Sequence, residues 1–290
     1  MKKFVVKLSL FFLIPTIYCG FNLIHNVKQV NSFEFSDKSK TVIVGDSEID
    51  LAINPSILKS AFSLAQPAEP LYHSYWKLLK YHSDNEQLKN VILGFSYHSL
   101  SGLNDLRLDH PRWSHRFFKN SYTIENINDL NEIPIDFNAY YQVLFKRMAL
   151  QKFDKHEFYY DEYEEDERVL LPNLEHVINT HYYHKKEEHN CSQVSERYLD
   201  SIVNFCSSNS LNLVLITTPL HKQYIEKVPR KFVLNYNKVV LKLKTKGINV
   251  YDFSNYSLND SCYLDYNHLN KYGAKLFTPV IDSIIDRNSL

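Results

Sequence analysis

At 290 residues, with Lys+Arg and Asp+Glu balanced at 33 each, the chain can bury a sizeable core. It offers no net field to attract a polyanion, which argues against nucleic acid as a partner. The length suits one large α/β domain with an anchor, or two small domains. Of the four cysteines, Cys19 lies in the leading apolar segment, and Cys191, Cys206 and Cys262 have no regular spacing that would signal a disulfide framework.

The chain opens Met1-Lys2-Lys3-Phe4-Val5-Val6-Lys7 and runs into an apolar stretch over residues 8–24, at about 17 residues just long enough to span a bilayer. The lysines before it place the bulk of the chain outside the cytoplasm, periplasmic or extracellular, as a single-pass protein. Ile17-Tyr18-Cys19 is a poor small-x-small cleavage site, which favours an uncleaved anchor over a cleaved signal peptide or a lipid-modified Cys19. Residues 25–40 are polar without a clear period and suit a stalk. The expected division is therefore an anchor and stalk over 1–39 and an α/β domain over 40–290.

Thr41-Val42-Ile43-Val44 reads as a first strand and residues 61–65 as a short second one. Residues 71–82 carry Leu, Tyr and Trp at helical spacing, and Asn90 to Gly94 is apolar enough for a strand buried on both faces. The same βαβ rhythm resumes with a helix over 192–209, a strand over 211–217, mostly helix over 222–246, a last strand over 248–253 and an amphipathic helix over 271–286. Between them, residues 99–190 are tyrosine-rich and charged, with no strand pattern and an acidic run over 161–168. A stretch this long is not a bare loop; it predicts a partly helical insertion over the carboxyl edge of the sheet.

Two motifs carry chemistry. The first strand ends in Gly45-Asp46-Ser47, and Asp265-Tyr266-Asn267-His268 stands directly before the last helix. A serine on a tight turn after a buried strand can be a nucleophile, although Gly-Asp-Ser would serve equally well as a helix cap. Asp265 and His268, three residues apart, can put a carboxylate beside an imidazole. That fixes the tautomer and frees the other nitrogen to take a serine proton. Asp46 is expected to bond backbone around the turn.

This pairing resembles the SGNH (GDSL-type) hydrolase superfamily, and within it the membrane-anchored branch related to alginate O-acetylation and other polysaccharide acyl-modifying proteins. The resemblance covers roughly residues 40–103 and 190–285. It implies a flavodoxin-type parallel sheet sandwiched by helices, a Ser47–His268–Asp265 triad, and an esterase or O-acetyltransferase activity that uses no metal or cofactor. The substrate would be a carbohydrate or another acylated small molecule, with a membrane-bound acyl-donor protein as a possible partner and a non-catalytic carbohydrate-binding scaffold as the rival reading.

The Ser47 N–H is expected to be one oxyanion donor, to which the superfamily adds a glycine N–H after the second strand and an asparagine side chain after the third. Here those places hold Ala65-Gln66-Pro67-Ala68 and Gly94-Phe95-Ser96-Tyr97, so Gln66 and the Ser96 hydroxyl would have to substitute. Thr217-Thr218-Pro219-Leu220-His221 suggests a pocket role for His221. His176, His181, His184 and His189 lack the spacing of a metal site and, among Lys185, Lys186, Glu187 and Glu188, read as a solvated face. Tyr72, Tyr75, Trp76, Tyr97 and Trp113 could stack on sugar rings, but the helical spacing over 72–76 points to core.

Overall fold

A computed structural model describes residues 2–109, 138, 141–142, 145–152 and 163–288. The chain forms two compact units, Met1–Glu34 with Leu108–Tyr159, and Phe35–Arg107 with Tyr160–Leu290. Trp113 and residues 161–162 of the acidic run lie outside the described residues.

In the first unit, helix α1 (Lys2–Asn31) extends a full two turns beyond the apolar run that predicts it. Within its span Lys3–Asn31 an 18-residue window has mean hydropathy 1.9 and is unburied, so by length and composition the helix can cross a bilayer, as a signal sequence also can. Asn22 and Asn26, four residues apart on one face, are its fully buried polar side chains. Asn22 Nδ2 donates to the Ala149 carbonyl at 3.0 Å, and Asn26 Nδ2 reaches the carbonyls of Arg147, Met148 and Gln151. The recipient segment Lys146–Leu150 is a π-helical turn, and the two amides satisfy carbonyls at its end.

The second unit is built on a five-stranded, all-parallel sheet: β1 (Thr41–Val44), β2 (Ala61–Ser63), β3 (Asn90–Gly94), β6 (Asn212–Thr217) and β7 (Asn249–Asp252), in the order β2-β1-β3-β6-β7. Every residue of β1 and β3 is buried, as expected of strands covered on both faces by crossover helices. Helix α2 (Ser47–Ala52) packs on the C-terminal helix α9 (Lys271–Asn288) over the face that presents Ile43, Ile92, Val214 and Ile216. Helices α3 (Leu71–Asp84) and α6 (Gln193–Ser208) pack together on the other side. The chain reverses its strand order between β1 and β3, and ligands of such sheets sit outside the carboxyl ends at that point.

Several local readings change. Residues 25–40 are not a uniform stalk: α1 continues to Asn31, and Phe35 is buried against Phe62 and Tyr81. The helix expected over 222–246 is broken into α7 (Lys222–Lys227) and α8 (Arg230–Thr245), because Pro229 has no N–H to continue the first and sits at the cap of the second.

The 99–190 segment is closed at its base. The Gly102 N–H bonds the Asn190 carbonyl and the Ser192 N–H bonds the Leu100 carbonyl, each at 2.8 Å, and a Cβ at Gly102 would stand 2.9 Å from the Asn190 oxygen. Its described residues include α4 (Leu103–Asp109) and α5 (Leu174–Tyr182), and also a two-residue hairpin of β4 (Tyr183–His184) with β5 (Glu187–Glu188) that the strand-free pattern does not foretell. His181 and His189 are buried rather than solvated, because α5 and the hairpin fold inward at these positions. Tyr72 and Trp76 are core, packed around Tyr198.

Candidate active site

Ser47 stands at the carboxyl end of β1, at the reversal point of the sheet. Gly45 has φ +136°, a conformation open to glycine, and a Cβ there would lie 2.9 Å from Ile49 Cγ2. Gly94, at the neighbouring end of β3, is tighter still, its Cβ position 2.6 Å from Ile49 Cβ. Two missing side chains thus let α2 start hard against the strand ends. Asp46, not Ser47, caps that helix, its Oδ1 accepting the Glu48 N–H at 3.0 Å. With the cap supplied by its neighbour, the Ser47 hydroxyl is free for another partner. That partner is His268: Ser47 Oγ lies 2.8 Å from Nε2.

The opposite ring nitrogen, Nδ1, lies 2.9 Å from Asp265 Oδ1, so the sequence-predicted Ser47, His268 and Asp265 form one continuous chain of hydrogen bonds. Asp265 also accepts the backbone N–H groups of Asn267 and His268 and the Asn173 amide at 3.1 Å. Burial alone would push its carboxyl up, but the hydrogen bond and charge of His268, with Asn173 and the Asn267 N–H, bring it down to about 2. For His268, burial works downward, and the hydrogen bond and charge of Asp265 reverse it to a net rise above the ordinary imidazole value. An ionised Asp265 holds the proton on Nδ1, which leaves the Nε2 lone pair facing the Ser47 hydroxyl. This arrangement can remove a proton from Ser47 and stabilise the imidazolium that results.

A second set of buried charges borders the serine. His98, on the turn Tyr97–Leu100 after β3, lies with Nε2 2.7 Å from Asp46 Oδ2 and Nδ1 3.2 Å from Glu48 Oε1. Burial would lower its pKa, but Glu48 and Asp46 raise it to about 10. Burial likewise pushes Asp46 up, and His98 and Arg107 more than reverse that, to below the usual carboxylate range. His181 stacks on His98 with ring centres 4.3 Å apart and is kept neutral, first by burial and then by the His98 charge. Glu48 Oε1 also accepts the Asn267 amide at 3.2 Å, and the same amide nitrogen is 3.3 Å from His268 Nε2.

The remaining predicted residues are placed differently. Gln66 and Ser96 are both buried and follow β2 and β3 at the expected edge. The Gln66 N–H is already bonded to the Gly45 carbonyl at 3.0 Å, and the Ser96 N–H to Ser99 Oγ at 2.9 Å. What stays available to an oxyanion is the Gln66 amide, the Ser96 hydroxyl, and the Ser47 N–H, a first-turn donor with no partner inside α2. The Gln66 side chain is held by a buried cation: Lys77 Nζ donates to Gln66 Oε1 at 2.6 Å, to the Leu64 carbonyl at 2.9 Å and to Glu69. That contact turns the Gln66 NH2, which has no partner among the described residues, away from the lysine.

His221 does not join Ser47. Its Nδ1 caps α7 through the Gln223 N–H, and its ring is wedged edge-on against Tyr263 and Tyr266, which braces the loop before His268. No group of three or more metal-binding side chains occurs among the described residues.

His98, Glu48, Asn267, Asn173 and Lys77 are the site residues that motif reading misses. Glu48 is adjacent to Ser47 in sequence, and it gives no signal because a glutamate in a first helical turn is ordinary.

Neither a protein-family description nor a curated protein matches the sequence. Among solved structures, the chain is similar to a GDSL-like lipase from Bacteroides thetaiotaomicron VPI-5482, at 11% identity, 92% of this chain and 97% of that one, TM-score 0.39. It is also similar to the lipase/acylhydrolase from Enterococcus faecalis, at 12% identity, 85% of this chain and 95% of that one, TM-score 0.40. Likeness at this level leaves the activity to be read from the residues themselves.

Proposed function

We propose that the chain is an SGNH-type serine esterase or O-acyltransferase of the membrane-anchored branch, acting on O-acetyl groups of an extracytoplasmic polysaccharide. The observation that carries this reading is the chain Ser47 Oγ–His268 Nε2 at 2.8 Å and His268 Nδ1–Asp265 Oδ1 at 2.9 Å, set at the carboxyl edge of a parallel sheet. In the reaction, His268 Nε2 takes the Ser47 proton as Oγ bonds to the ester carbon. The tetrahedral oxyanion collapses, and the sugar oxygen leaves with the proton from His268. Water or a second sugar hydroxyl then gives up its proton to His268 and attacks the acyl carbon, and Ser47 Oγ leaves with the proton returned by His268.

A full-length preparation in detergent is expected to label covalently with a fluorophosphonate probe, and Ser47→Ala to abolish labelling. Equal labelling of both proteins would remove Ser47 as nucleophile. One observation favours the scaffold alternative, a non-catalytic carbohydrate-binding member of a polysaccharide assembly system: the backbone N–H groups of Gln66 and Ser96 are already spent inside the protein. A folded wild type that binds an acetylated polysaccharide but neither labels nor turns it over would select that reading.

The same proposal places α1 in the membrane with Lys2, Lys3 and Lys7 on the cytoplasmic side. A reporter fused after Leu290 should be active only outside the cytoplasm, and a reporter active inside would reverse the orientation.

A further inference from the structure

Most enzymes of acyl transfer need one carboxylate near the base, to hold it; this chain buries three near His268. Asp265 is the holder. Asp46 and Glu48 flank Ser47 on either side in sequence, and both are buried. Two uncompensated carboxylates beside a general base would stabilise its protonated form and remove it from service at neutral pH. His98 stands where its imidazolium form compensates both, 2.7 Å from Asp46 and 3.2 Å from Glu48.

We propose that His98 is a positioning residue for the Ser47–His268 pair: clamped between Asp46 and Glu48, it offsets the two carboxylates that flank the serine and steadies Glu48 where that carboxylate orients Asn267 against His268. The inference rests on the catalytic reading of Ser47 and His268.

The surroundings of His98 support a permanent charge. Facing it are Asp46 from the turn before α2, Glu48 from α2 and the neutral His181 ring from α5; the charge of Arg107, from α4, bears on Asp46 and on His181. His181 in turn bonds Tyr224 at 2.8 Å, and Tyr224 bonds Tyr182 at 2.9 Å, so the far side of the stack is closed by neutral phenols. The His98 carbonyl is held as well, by the Asn104 amide at 3.1 Å. Asn267 completes the link. Its nitrogen must be the atom facing Glu48, since its oxygen there would oppose a carboxylate, and the same nitrogen is 3.3 Å from the His268 lone pair that receives the Ser47 proton. Charge at Glu48 is thereby coupled to the protonation of His268.

Two variants test this with opposite signs. His98→Gln keeps a donor for Asp46 without the charge; Glu48→Gln keeps an acceptor for Asn267 and removes one carboxylate. In the full chain in detergent, the midpoint of the acid limb of fluorophosphonate labelling is expected to move up by about one pH unit in His98→Gln and down in Glu48→Gln. A midpoint that stays put in His98→Gln, with only thermal stability reduced, would make His98 a packing residue and overturn the proposal. If His98→Gln does not fold, Glu48→Gln carries the test, and an unmoved or raised midpoint there overturns it. If the wild type does not label, the catalytic reading falls separately, and the His268 midpoint is read by NMR of the labelled imidazole in the same variants, with the same signs expected and the same null shift decisive.

Discussion

Two short segments meet at the Ser47–His268 contact, and they are built on different principles. The turn from β1 into α2 is assembled from sequence neighbours: Gly45 supplies the backbone angle, Asp46 the helix cap and Ile49 the packing against Gly94. The loop that carries Asp265 and His268 is stitched to a distant stretch, residues 166–173. The Leu170 and Leu171 N–H groups bond the carbonyls of Tyr263 and Leu264, the Asn270 amide bonds that of Arg168, and Asn173 bonds Asp265 itself. Ser47 is therefore positioned by the sheet, whereas His268 is delivered by a loop whose shape depends on the end of the insertion.

The largest expected effects treat the two segments as one machine. Ser47→Ala, His268→Ala and the double variant should each lose activity on an O-acetyl ester by at least about a thousandfold and by nearly the same amount. Additive losses would mean that the two segments act separately. Asp265→Asn should cost on the order of a thousandfold through the wrong His268 tautomer, measured as kcat/KM.

The pH dependence has a definite sign. Because His268 is raised above its ordinary value of 6.5, the neutral base is recovered only as pH climbs past that value, and labelling should fall on the acid side from above 6.5. For stability, the contribution of Asp265 is complete above the ordinary 3.8 and is lost as pH falls toward about 2. Denaturation midpoints of Asp265→Asn should lack that acid-side component.

Smaller perturbations separate the segments. Gly45→Ala strains the turn at φ +136° and displaces Ile49, with an expected loss of about a hundredfold if Ser47 moves by about 1 Å. Asn270→Ala removes three carbonyl partners of a buried amide, which should lower stability by about 1–3 kcal/mol and activity with it, read by thermal melts and probe labelling. Asn173→Ala removes one hydrogen bond to an ionised carboxylate and should cost about tenfold or less. If Asn173→Ala matched Asp265→Asn, the insertion would be part of the catalytic unit rather than its brace.

Taken alone, the sequence determined what depends on local pattern. Continuous apolar runs bounded by glycine identify β1 and β3, helical spacing identifies α3 and α6, and Gly45-Asp46-Ser47 with Asp265-x-x-His268 marks the two segments that meet, since each motif acts over a few residues of backbone. Only the tertiary structure decided the rest. That the Gln66 and Ser96 N–H groups are consumed by Gly45 and Ser99, that His221 braces a loop, that His181 and His189 turn inward, and that His98 closes on Asp46 and Glu48 all depend on which remote elements pack together. Buried charge pairs have no period along the chain, and their partners are chosen by contact and dielectric once the sheet has formed.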